Sequence, residues 1–242
     1  MVKAGEACRL CLRTLPLRNS HIIPEWLYRP LYDEIHRYRV LQAGKGDRKI
    51  FGQKGIRERM LCQSCETNLS VYEGYARGVL AGGVEIEIQK LEGGIAVCGL
   101  DYAKFKLFQL SVLWRAGVAR NSFFSRVELG SHSETLRQML RAGDPGAGGD
   151  YGCILVSVLA ESQLVTDLIT QPTSEVVNGW PMVRFLFGGH AWLFLLGQGN
   201  SHPFAKLFLD TTGRLEIRQG GKAVEGYVRG LAKTFVLENG LA

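Results

Sequence analysis

The sequence predicts an α+β protein in two parts: a small zinc-stapled module over residues 1–81, and a larger α+β domain with a mainly antiparallel sheet over residues 82–242. Three observations carry this. Four of the six cysteines form two Cys-x2-Cys pairs, Cys8/Cys11 and Cys62/Cys65, both in the first third of the chain. Charge divides in the same place: residues 1–80 carry 14 Lys and Arg against 8 Asp and Glu, whereas the other 162 residues carry 15 of each. Beyond Gly82-Gly83, short apolar runs with strand-like spacing alternate with helix-length segments.

The first cysteine pair lies in a tight turn. A short connection leads to Ser20-His21-Ile22-Ile23-Pro24, and a helix is expected from Pro24, with Trp26, Leu27, Leu31 and Ile35 at helical spacing and Pro30 kinking or restarting it. Residues 42–59, rich in Gly, Lys and Arg, read as a loop or small hairpin. The second pair opens a helix on which Leu69, Tyr72, Ala76 and Val79 recur every three or four residues.

Past the boundary, residues 84–88 alternate with a period of two and Glu92-Gly93-Gly94 turns them into Ile95–Val97, a hairpin. Residues 101–117 form a helix that is apolar nearly all round, the signature of a core element. Ser133 is positioned to cap another helix running to Leu140, and residues 143–150 form a glycine-rich loop. Strands are expected over 153–159, 182–187, 191–196 and 206–209. Gly213 turns the last into 215–218, and residues 223–237 read as a terminal helix.

Composition excludes several classes. With 46% hydrophobic and 21% charged residues and no collagen-like glycine period, the chain is globular rather than fibrous or low-complexity. The opening Met-Val-Lys-Ala-Gly-Glu lacks the apolar core of a secretory signal. The most apolar stretch, residues 180–196, is broken by Arg184, Gly188, Gly189 and His190, too short and interrupted to span a bilayer. A soluble, cytoplasmic protein without a membrane partner is expected.

In such a compartment paired cysteines stay reduced, so two Cys-x2-Cys pairs read as one tetrahedral thiolate zinc site of Cys8, Cys11, Cys62 and Cys65. A knuckle followed by a second pair at a helix start is the treble-clef arrangement, and the helix N-terminus favours thiolates. Cys98 and Cys153 lie in apolar runs and read as buried structural residues. The basic stretch Lys45, Arg48, Lys49, Lys54, Arg57 and Arg59, opposed only by Asp47 and Glu58, suits a polyanion, since neutralising phosphates releases counterions. A solvated loop is the plainer alternative.

His21 between the two pairs completes a pattern. Cys8 and Cys11, then Ser20-His21-Ile22-Ile23-Pro24, then Leu61-Cys62-x2-Cys65 resemble the HNH, or ββα-metal, nuclease superfamily over about residues 8–80. The segment 101–116 is also similar to a stretch that recurs in bacterial HNH-type proteins. The resemblance implies structural zinc on the four cysteines and His21 as the general base. It also implies a separate magnesium or manganese ion at the scissile phosphate, DNA as the substrate, and a setting in restriction or antiphage defence. The residue before the base, Asp or His in the family, is Ser20. The residue after the last cysteine, commonly Asn or His, is Glu66, whose carboxylate suits a hard cation; Glu73 is a second acid along the helix. The alternative is a non-catalytic zinc module that binds nucleic acid or protein, with Ser20 as the feature favouring it. On the nuclease reading, residues 82–242 would sense a trigger, bind a partner or mediate homo-oligomerisation.

Four further features carry no chemistry of their own. His132 reads as part of a helix cap. His190 and His202 fall in loops without an evident partner. Gly146 to Gly149 lacks the Lys-Ser/Thr of a phosphate loop.

Overall fold

The computed structural model describes residues 6–40, 50–160, 162–198 and 200–221. The knuckle is closed by a bridge between Ala7 and Thr14. Strand β1 (Leu17–His21) follows, then a 3-10 helix over Glu25–Leu31 that contains Pro30. Pro30 cannot supply the N–H that a longer α-helix would need, which accounts for the short, tight helix where a longer one was expected. Strands β2 (Tyr38–Val40) and β3 (Ile50–Gly52) pair with each other, and β4 (Arg57–Cys62) returns antiparallel to β1. Helix α1 (Gln63–Ala81) starts at the second cysteine pair and ends at Gly82, where φ is +86°.

The hairpin of β5 (Glu87–Leu91) and β6 (Gly94–Cys98) comes next, turned at Gly93, with β5 starting three residues later than the alternation over 84–88 implies. Asp101 caps helix α2 (Tyr102–Val118), accepting a hydrogen bond from the Lys104 amide at 3.0 Å. Helix α3 (His132–Ala142) starts two residues earlier than Ser133 implied, with Ser131 at its N-cap, and stops at Gly143 with φ +70°.

The remaining strands are β7 (Cys153–Ser157), the short pair β8 (Leu159–Ala160) and β9 (Gln163–Leu164), β10 (Thr170–Val177), β11 (Trp180–Phe187), β12 (His190–Leu195) and β13 (Leu215–Gln219). Apart from β8 and β9, which pair only with each other, they join the β5–β6 hairpin in a seven-stranded sheet in the order β10-β11-β12-β7-β13-β6-β5, antiparallel except where β13 runs parallel to β7. Two expectations are corrected. Residues 206–209 contain no strand but the end of a 3-10 turn over Ala205–Leu207, and β10 was not foreseen. The expected helix over 223–237 lies outside the described residues. Among those described, no helix is long and apolar enough to cross a membrane.

Helix α2 is the hub. Phe105 and Phe108 lie on Trp192 of the sheet, with ring centroids 6.5 and 6.1 Å away, and α2 also packs against α1 and α3. One continuous apolar core therefore runs from Cys8, Leu10 and Met60 through α2 to Phe194 and Ile217. The strand-and-helix unit bearing the cysteines is anchored on this hub by polar contacts as well. Arg9 donates to Glu58 and to the Val118 carbonyl, and Glu58 also accepts the Arg120 and Asn121 amides at 2.7 and 3.1 Å. Arg137 of α3 donates to the Leu10 carbonyl at 2.7 Å.

Candidate functional site

The knuckle forms because the chain reverses within five residues: the Leu12 amide donates to the Cys8 carbonyl at 2.8 Å, and the Cys8 amide to the Arg13 carbonyl at 2.9 Å. The Arg9 amide then bonds the Met60 carbonyl of β4, bringing the first pair against the second. The Sγ atoms of Cys8, Cys11, Cys62 and Cys65 all lie within 4.8 Å of one another, with Cys11 and Cys62 3.8 Å apart. A tetrahedral thiolate site with Zn–S bonds of about 2.3 Å has sulfurs about 3.8 Å apart, so the donor set fits a structural metal such as zinc.

The surroundings favour thiolates unevenly. Burial pushes the Cys8 and Cys65 thiols up. Cys11 is also pushed up by burial, but hydrogen bonds from the backbone and side chain of Arg13 outweigh this and bring it down to about 6. Cys62 is lowered despite burial, chiefly by the Ser64 hydroxyl. The Cys62 amide also donates to Cys8 Sγ at 3.3 Å. Four sulfurs that cannot all ionise on their own gain most from a divalent cation, which replaces their protons.

His21 ends β1, facing Arg57 of β4 in register. Its ring Nε2 lies 2.7 Å from the Lys54 carbonyl. A carbonyl can only accept, so Nε2 carries the proton and the neutral ring leaves Nδ1 with a free lone pair. The Lys54 carbonyl is presented by a turn in which Lys54 and Gly55 both have positive φ, +61° and +64°. Gly55 is required there twice over: a Cβ would fall 2.9 Å from the Tyr28 ring and 3.2 Å from His21 Cδ2. Burial, aided by Arg57, holds the imidazole below its usual pKa despite the Lys54 carbonyl and the charges of Glu25 and Glu73.

Adjacent strand residues face opposite ways, so Ser20 points at α1 while His21 points at the Lys54–Gly55 turn. Ser20 is fully buried, and its hydroxyl donates to Glu66 Oε2 at 2.5 Å. The segment thus brings Ser20 and Glu66 together on one face of β1 and sets the His21 ring on the other, against the Lys54 carbonyl. Among the described residues, the four cysteines are the one cluster of three or more Cys, His, Asp or Glu donors close enough to share a metal. Glu73 pairs with Arg115 at 2.6 Å.

Of the basic residues, Lys54 and Arg59 are exposed and Arg57 is half-buried around the His21 turn; Lys45, Arg48 and Lys49 lie outside the described residues. Glu58 is taken up by the anchoring contacts with Arg9 and the 120–121 amides. Three of the other four histidines have local side-chain hydrogen bonds: His132 with the Tyr151 hydroxyl, His190 with the Gly188 carbonyl, and His202 with the Phe204 amide. Cys153 is buried as expected, whereas Cys98 is half-buried, with Arg214 Nη1 3.6 Å from its sulfur.

Two participants were missed from the sequence. The Lys54 carbonyl is backbone and leaves no side-chain signal. Arg115 was passed over inside an apolar helix, although an arginine there is itself a signal, because a buried charge needs partners. Comparison with protein-family models, curated proteins and solved structures finds no match.

Proposed function

We propose that residues 1–81 form a zinc-stapled, treble-clef module of HNH type that hydrolyses phosphodiester bonds in DNA with a divalent metal. The observation that carries this reading is the His21–Lys54 hydrogen bond. It orients a histidine on a polar strand end, fixes the proton on Nε2 and leaves Nδ1 unprotonated near neutral pH, as a general base requires. In the reaction, His21 Nδ1 takes a proton from water and the water oxygen attacks phosphorus, breaking the bond to one bridging oxygen. Magnesium or manganese, when bound, would neutralise charge on the phosphate and the leaving oxygen. Glu66 would hold that ion, with the Ser20 hydroxyl beside it and phosphate and water oxygens filling the rest, as magnesium favours. Cys8, Cys11, Cys62 and Cys65 would hold zinc and fix the positions of β1 and α1. Lys54, Arg57 and Arg59, with Lys45, Arg48 and Lys49, would contact backbone phosphates.

One observation favours a second reading, a zinc module that binds nucleic acid without cutting it. The Ser20–Glu66 hydrogen bond satisfies Glu66 without any metal. Cleavage of plasmid, single-stranded DNA and RNA by wild type and His21→Ala, with and without magnesium or manganese, separates the two. Metal-dependent cutting lost in His21→Ala supports the nuclease. A zinc-loaded, folded wild type that binds DNA and never cuts it supports the binding module.

A further inference from the structure

Arg115 projects from the middle of the fold, not from the cysteine-bearing segment, and is 1% exposed. Each nitrogen of its guanidinium has a partner. Nε donates to the Ser111 carbonyl at 3.1 Å and Nη2 to the Ser111 hydroxyl at 3.2 Å. Nη1 donates to the His21 carbonyl at 2.6 Å and lies 2.6 Å from Glu73 Oε1. The two Ser111 contacts lock the guanidinium to its own helix, so its outward edge is aimed at one place: the end of β1 and the face of α1. His21 is thereby held at both ends, its carbonyl by Arg115 and its ring by the Lys54 carbonyl.

Stability is a poor reason for such a residue. Desolvating a guanidinium is costly, and replacing a buried ion pair with apolar groups of similar volume is often neutral or stabilising. What the arrangement supplies is position. A planar, forked donor fixes direction as well as distance, which a lysine does not. Beyond the Ser111 carbonyl of its own helix, the backbone acceptor it grips belongs to the candidate base.

We propose that Arg115 is a positioning residue for phosphodiester hydrolysis: through the His21 carbonyl and Glu73 it sets the orientation of the His21 imidazole, so that helix α2 is a working part of the nuclease. This rests on the nuclease reading of His21. A misplacement of this kind at a base costs on the order of 10²-fold in rate. Because Arg115 touches no phosphate, the loss should fall on kcat and leave KM nearly unchanged.

The test uses the full-length, zinc-loaded chain as wild type, Arg115→Met, Arg115→Lys and the double variant Arg115→Met/Glu73→Leu. Cleavage kinetics and His21 imidazole ¹⁵N NMR are both recorded, with His21→Ala for assignment. The expected result has three parts: zinc content and thermal stability preserved in the double variant, kcat reduced by roughly 10²-fold in both Met variants with partial recovery in Arg115→Lys, and a shifted His21 tautomer balance. A folded double variant with wild-type kcat and an unchanged tautomer overturns the proposal. If Arg115→Met alone unfolds, the double variant and Arg115→Lys carry the same test, since neither leaves an unpaired buried charge. If wild type cuts nothing, the nuclease reading fails. The NMR arm then decides the positioning alone: a tautomer shift upholds it, and no shift overturns it.

Discussion

The buried Ser20 hydroxyl donates to Glu66 across the junction of β1 and α1 at 2.5 Å, and so joins the residue before the candidate base to the residue after the last cysteine. Ser20→Ala removes the donor and should cost about 1–3 kcal/mol, the range for leaving a buried acceptor without its partner. Ser20→Asp instead sets two carboxylates against each other. It should be destabilised without added divalent metal and recover with millimolar magnesium or manganese, because a hard cation bridges paired carboxylates. Thermal melts of both variants with and without metal check this; indifference of Ser20→Asp to metal would count against a cation site at Glu66.

Each of Cys8→Ser, Cys11→Ser, Cys62→Ser and Cys65→Ser should lower zinc content, expected at one ion per chain in the wild type by elemental analysis. Chelation should also disturb more than the knuckle, because Cys8, Cys62 and Cys65 belong to the apolar core that includes Leu10, Met60 and Leu61. Zinc affinity should fall as pH drops, since protons compete for the sulfurs. Zinc release on acidification, followed with a chromogenic chelator, measures this.

Burial holds His21 below the ordinary histidine value of 6.5. On the nuclease reading the neutral ring is the active form, so cleavage should rise with pH through a pKa below 6.5 and level off near neutrality. Stability has the same sign: folding disfavours the protonated ring, so this contribution is complete above 6.5 and is lost as pH falls towards the lowered folded-state value. A pH–rate profile of kcat/KM and melts of wild type and His21→Ala across the same range test both statements.

Gly55→Ala should destabilise by roughly 1–2 kcal/mol from its positive φ alone. It should also slow cleavage, because the new Cβ would press on Tyr28 and His21 and displace the Lys54 carbonyl. Kinetics at a temperature well below the melting point separate the two effects. Wild-type rates from a destabilised Gly55→Ala would show that the Lys54 carbonyl does not matter.

Lys106 is fully buried on α2, donating to the Gly148 and Tyr151 carbonyls at 3.4 and 3.2 Å, and burial lowers it to about 8. Folding therefore favours the neutral amine. Stability from this group is complete above the unfolded value near 10.5 and is lost as pH falls towards 8. Lys106→Met should raise stability at pH 7 and flatten the dependence between pH 8 and 10, as denaturant titrations would report.

The elements that were legible had strong local patterns. Helix α1 followed from Leu69, Tyr72, Ala76 and the cysteine pair, the β5–β6 hairpin from its glycines, and α2 from its apolar run. Strand β10 escaped because Thr170-Gln171-Pro172-Thr173-Ser174-Glu175 is polar, as suits a sheet edge; Asn178-Gly179, a two-residue hairpin turn with φ +51° and +83°, is the signal that reveals it. Residues 206–209 misled because a short apolar run has no decisive period. At the site, the cysteines, Ser20, His21 and Glu66 were readable as side chains. The Lys54 carbonyl and the reach of Arg115 over 94 positions depend on tertiary structure, which local spacing does not encode.

Arg9, Arg115 and Arg137 together make three long-range ties between the cysteine-bearing segment and the helices beyond it, each ending on a backbone carbonyl: Val118, His21 and Leu10. Carbonyl acceptors are present whatever the side chain, so these ties tolerate sequence drift at the accepting positions but not at the arginines. A cassette of residues 1–81 grafted onto another protein would leave the Leu10 and His21 carbonyls without their arginine donors. A working transplant would have to carry the second half of α2 and the face of α3 with it.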